Sequence, residues 1–64
     1  MIKLIGRNKK EISIEKPERI DIIFKNLNIS DNEYVPILNG NPALNNDIVN
    51  PEDELVILEV FSGG

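Results

Sequence analysis

Residues 55–61 read LVILEVF, the most apolar stretch in a chain of only 64 residues. A short apolar run bounded by polar, turn-forming residues reads as a strand buried at the centre of a sheet. A chain this short forms one domain and buries only about 60% of the surface its unfolded form exposes. One such strand therefore claims the middle of the single core available, and the other elements must be arranged around it.

Those elements follow from periodicity. MIKLI at 1–5 alternates around Ile2 and Leu4, and EISIE at 11–15 alternates around Ile12 and Ile14. Both have the period of half-buried strands. The intervening GRNKK, with Gly6 and Asn8, closes them into a hairpin. A helix is predicted over 17–28. Pro17 suits its first turn, Glu18 and Lys25 complement its dipole, and Asn28 suits its stop. Ile20, Ile23, Phe24 and Leu27 lie at i, i+3, i+4 and i+7 on one face, with Ile22 out of phase. YVPIL at 34–38 reads as a further strand, placed at an edge or bulged because Pro36 cannot donate a ladder bond. Asn39–Gly40 signals a turn. Residues 43–54 are irregular, with room for a short strand or a single helical turn. Hairpin, helix, edge strand, loop and central strand make an α+β chain with one helix on a mixed four- to five-stranded sheet. This is the β-grasp arrangement, with the first and last strands expected side by side and parallel.

Side chains along a strand alternate between faces. Leu55, Ile57, Glu59 and Phe61 share one parity, and Val56, Leu58 and Val60 share the other. One helix covers one face of a sheet. With Leu55 and Ile57 toward the helix, Val56, Leu58 and Val60 form an apolar patch on the open face, a candidate partner surface. The alternatives are that the 41–54 loop folds back over the patch, or that these are ordinary surface apolar residues.

The chain has no Cys and no His, so disulfides, thiolate metal sites and imidazole chemistry are excluded. Ser13, Ser30, Tyr34 and Ser62 consequently have no His or Cys with which to form a nucleophile–base pair, and no catalytic residue is expected. Glu52, Asp53 and Glu54 match a hard-cation loop poorly and read as a solvated loop. Charge is unevenly placed. Residues 1–25 hold all seven Lys and Arg against four acids, a net +3, and residues 26–64 hold seven acids and no cation, a net −7. The acidic half argues against nucleic acid. It is either a solvated surface or a face that steers a basic protein partner. With no signal-peptide run and no long apolar span, a cytoplasmic protein without membrane association is expected.

The segment DELVILEVFSGG resembles the C-terminus of the ThiS/MoaD sulfur-carrier proteins, which are ubiquitin-like. The resemblance extends to length, strand order, the helix stripe Ile20/Ile23/Phe24/Leu27 and the LNG turn at 38–40. Gly63–Gly64 is its most specific element. The chain has NPEDE at 50–54 where the family often has a DGD-like turn, and it lacks the Pro-rich approach common in MoaD-type members. It looks more like the ThiS branch.

The resemblance implies a β-grasp domain at 1–61 and a flexible tail, Ser62–Gly63–Gly64. It implies a monomer that binds no cofactor and meets an ATP-dependent activating enzyme through Phe61, Val60, Leu58 and Val56. The Gly64 carboxylate would be adenylated with the enzyme's ATP, converted by a sulfur donor to a thiocarboxylate, and used by an acceptor synthase. Thiamine-type or molybdopterin-type cofactor synthesis and tRNA thiolation are all compatible outcomes. Glycine suits the tail because, with no Cβ, it permits close approach and unusual backbone conformations. The same tail is compatible with a ubiquitin-type modifier joined to substrate lysines through Gly64. A small binding module in which the diglycine has no role is the third reading.

Overall fold

The computed structural model describes residues 1–60. Strands β1 (Ile2–Ile5) and β2 (Lys10–Ile12) form an antiparallel hairpin, with Ile2 opposite Ile12 and Lys3 opposite Glu11. The second strand stops at Ile12, short of the expected Glu15. Ile14 lies beyond it and still packs against the core.

A two-residue strand β3 (Glu18–Arg19) leads into α1 (Ile20–Leu27). The helix therefore starts three residues later than the predicted Pro17. Glu18 and Arg19 are extended because they pair antiparallel with a strand from the distant loop. Asp21, not Glu18, is the acid of the first turn, and Lys25 occupies the last turn as expected. Asn28 ends the helix in the left-handed region at φ 58°. Its N–H donates to Lys25 C=O, and Ile29 N–H donates to Phe24 C=O, a Schellman closure that Asn tolerates better than most residues.

Strand β4 (Tyr34–Leu38) is followed by a tight turn at Asn39 and Gly40, both with positive φ, and by the stub β5 (Asn41–Pro42). Two positive φ values are the requirement of the turn that Asn-Gly favours. The loop then supplies β6 (Ile48–Val49), the partner of β3, and the chain returns as β7 (Leu55–Glu59). The main sheet has five strands in the order β2-β1-β7-β4-β5. β7 is central, parallel to β1 and antiparallel to β4. Only β5 flanks β4 on its outer side. Pro36 C=O accepts from Ala43 N–H on that side, so its missing N–H takes nothing from the β4–β7 ladder.

One helix thus covers one face of a mixed five-stranded sheet, a β-grasp-like α+β fold. Ile2, Leu4, Ile20, Ile23, Phe24, Val49, Leu55 and Ile57 form the buried core between them, and Leu27 packs against it. Ile22, out of phase with the stripe, is exposed. Among the described residues, no helix is long and apolar enough to cross a membrane.

Candidate functional site

The site is built on the open face of β7. Leu55 and Ile57 are fully buried on the helix side, so Val56 and Leu58 project from the opposite face, as parity requires. Register supplies their neighbours. Leu58 lies between Ile5 of β1 and Val35 of β4, and Val56 lies between Lys3 and Ile37. Val60 follows the strand at 45% exposure. Val56, Leu58 and Ile37 are half-buried, while Ile5 and Val35 are exposed. The result is a contiguous apolar strip across three strands. Its rim carries charge, with Lys3 3.8 Å from Glu54 and Glu11 beside Lys3 across the hairpin.

The 41–54 loop does not cover this strip. Val49 is fully buried in the core on the helix side. The loop is held there by the helix itself: Ile20 N–H donates to Asp47 C=O at 3.0 Å, and Asp21 N–H donates to Asn45 C=O at 2.9 Å. The N-terminus of α1 has no side-chain cap, and these carbonyls take the place of one.

The acids of the loop have local roles. Asp47 accepts from Leu44 N–H through its carboxylate at 2.7 Å. Asp53 accepts from Asn50 N–H at 2.9 Å and from the Asn39 side-chain amide at 3.2 Å. The Asn50 N–H bond first, and the Asn39 bond second, hold the Asp53 carboxyl below the ordinary aspartate range. Asn39 in turn accepts from Glu54 N–H and donates its own N–H to Glu54 C=O. The tight turn is thereby fastened to the start of β7. No group of three or more acids suited to a metal ion occurs among the described residues. Ser30 uses its hydroxyl oxygen to accept from Asn32 N–H within the turn that precedes β4.

At the far end of β7, Glu59 has the parity of the buried Leu55 and Ile57, and although charged its side chain is only 7% exposed. Its carboxylate accepts from Arg7 N–H at 2.8 Å and lies 3.6 Å from Arg7 Nε. Gly6 makes room for it, because a Cβ at Gly6 would collide with the Glu59 side chain. On the other flank, Val60 N–H donates to Glu33 C=O at 2.8 Å.

Of the residues singled out from sequence, Val56, Leu58 and Val60 come together on the open face. Phe61, Ser62, Gly63 and Gly64, including the whole expected tail, lie outside the described residues. Ile5, Val35 and Ile37 belong to the strip and were not anticipated. Only strand register reveals them, and register follows from pairing across the whole chain. No protein-family model matches this sequence, and no curated protein matches it.

Proposed function

We propose that this protein is a sulfur carrier whose Gly64 carboxylate is activated by an ATP-dependent partner enzyme and converted to a thiocarboxylate. The observation that carries the reading is the placement of β7. It is the central strand of the sheet, its open face bears an apolar strip that no loop covers among the described residues, and its next residues in sequence are Phe61–Ser62–Gly63–Gly64. A partner docked on Val56, Leu58 and Val60 receives the segment that follows directly. Small residues allow such a segment into a narrow nucleotide site.

The chemistry requires that Gly64 carry a free carboxylate. That carboxylate attacks the α-phosphorus of ATP and pyrophosphate leaves. A hydrosulfide equivalent then attacks the acyl carbon and AMP leaves, taking one former carboxylate oxygen with it. With hydrosulfide the exchange is redox-neutral; a persulfide donor needs a thiol to reduce it. Adenylation is needed because a carboxylate is a poor electrophile. The carrier contributes the reacting terminus and the docking surface, and the partner contributes ATP and catalysis. The sulfur then passes to an acceptor synthase in cofactor synthesis or to a tRNA-thiolating system.

Incubating the purified chain with native-host extract, ATP and hydroxylamine tests this reading. Hydroxylamine attacks the acyl-adenylate in place of sulfur, leaving a hydroxamate at Gly64 that tandem mass spectrometry locates. We expect ATP-dependent hydroxamate on the intact chain and none on a chain lacking Gly63 and Gly64. Absence of ATP-dependent hydroxamate on the intact chain contradicts the proposal.

A further inference from the structure

We propose that Glu59, with Gly6 and Arg7, forms a latch that holds the chain at Val60 in one place and so positions the following segment for its reaction. The latch is a feature of the described fold. Its consequence for Gly64 rests on the sulfur-carrier reading.

Glu59 occupies a position where strand parity calls for an apolar side chain. A carboxylate taken from water is costly unless it is paired and hydrogen-bonded. Here the compensation is specific. Arg7 supplies a backbone N–H and a guanidinium, and Gly6 supplies the space. All three come from the β1–β2 connection, 52 residues away from Glu59 in sequence for the Arg7 contact. An apolar residue at 59 would satisfy the core without any of this. What the carboxylate adds is direction, because its hydrogen bond fixes the end of β7 against one particular turn.

The opposite flank carries the second tie. Val60 N–H donates to Glu33 C=O, reached from the turn at 30–34. Between the two flanks lies a cleft of about 450 Å³, lined by Arg7, Asn28, Ser30, Tyr34 and Glu59 among others. The strand end is therefore held from both sides at the last residue before the reacting segment. A reaction at a terminus threaded into a partner's site depends on where that terminus starts, and small misplacements of reacting groups slow reactions sharply. Glu59 is thus a positioning residue, acting through Val60.

Amide hydrogen exchange by NMR on the full chain tests the latch directly. Glu59→Ala removes the carboxylate, Glu59→Gln keeps an acceptor for Arg7 N–H, and Gly6→Ala drives a Cβ into the Glu59 carboxylate and Cβ, so that the end of β7 must shift away from the turn. We expect Glu59→Ala and Gly6→Ala to speed exchange at Val60 by about tenfold, the scale of a lost charged hydrogen bond. Ile57 should change much less, and Glu59→Gln should restore most of the protection. Equal acceleration at Val60 and Ile57, or none at Val60 in either variant, overturns the latch. If Glu59→Ala does not fold, Gly6→Ala and Glu59→Gln carry the same comparison.

The hydroxamate assay tests the consequence. Glu59→Ala should lower the maximal rate of hydroxamate formation, with little change in the half-saturating carrier concentration, because the docking strip is untouched. An unchanged maximal rate in a folded Glu59→Ala protein refutes the positioning role. A wild-type chain that gives no hydroxamate contradicts the carrier reading instead, and the exchange ratio then decides the latch alone.

Discussion

Phe24 is the largest side chain in the buried stripe of α1, and it lies against a sheet core with little to spare. Phe24→Ala should cost about 3–5 kcal/mol, the usual result of truncating a buried aromatic ring. In a domain whose total stability is small, that loss unfolds much of the population at ambient temperature. Urea denaturation monitored by circular dichroism checks it, and a stability within error of wild type would place Phe24 outside the core. Asp53 makes a different prediction. Its folded-state carboxyl is held below the ordinary aspartate value of 3.8 by hydrogen bonds from Asn50 and Asn39. A depressed folded value stabilises the protein above the unfolded value, and that contribution disappears as pH falls through the folded one. Wild type should therefore lead Asp53→Asn in thermal stability at neutral pH, and the gap should narrow as pH falls below 3.8. Melting curves collected from neutral pH downward test the sign. A gap that widens toward acid would contradict the assignment.

Each element of the fold shows a different limit on what could be read beforehand. Alternation at Ile2/Leu4 and Leu55/Ile57, the stripe on α1 and the Asn39–Gly40 turn were legible because side-chain type follows local geometry. The start of α1 was not. Pro17 and Glu18 look like a helical first turn, but Glu18–Arg19 pairs with Ile48–Val49, and loop carbonyls of Asn45 and Asp47 take the first helical N–H groups. Backbone acceptors can be supplied by any residue, so they leave no mark in the sequence. Val49 was missed for a related reason, since a two-residue strand has no detectable period. The site divides in the same way. The patch on β7 was legible from parity, whereas the Arg7–Glu59 contact required the hairpin and β7 to be adjacent in space. Two outcomes follow for these elements. Asp47→Ala removes the acceptor for Leu44 N–H and loosens the loop that caps α1, so it should destabilise by about 1 kcal/mol in chemical denaturation. Val60→Glu, at an exposed position on the strip, should fold with an unchanged melting temperature and yet raise the half-saturating concentration for hydroxamate formation. Loss of folding in that variant would mean the strip belongs to the core.

Among the described residues, the helix and the 41–54 loop hold the core on one face of the sheet, and no element covers the other face. The charge asymmetry, net +3 over residues 1–25 and net −7 over residues 26–64, gives the molecule a field that a basic partner surface would feel at a distance. Removal of Gly63 and Gly64 should leave the melting temperature nearly unchanged while abolishing hydroxamate formation, which separates folding from function in one variant. The claim that Gly64 carries sulfur is tested most directly by the intact mass of this chain isolated from its native host under sulfur-replete, reducing conditions. The account predicts a species heavier than the unmodified chain by the difference between sulfur and oxygen, with the change located at Gly64. Unmodified chain without that species, accompanied by Ser-Gly-Gly remnants of this protein on the lysines of other proteins after chymotryptic cleavage at Phe61, would contradict it.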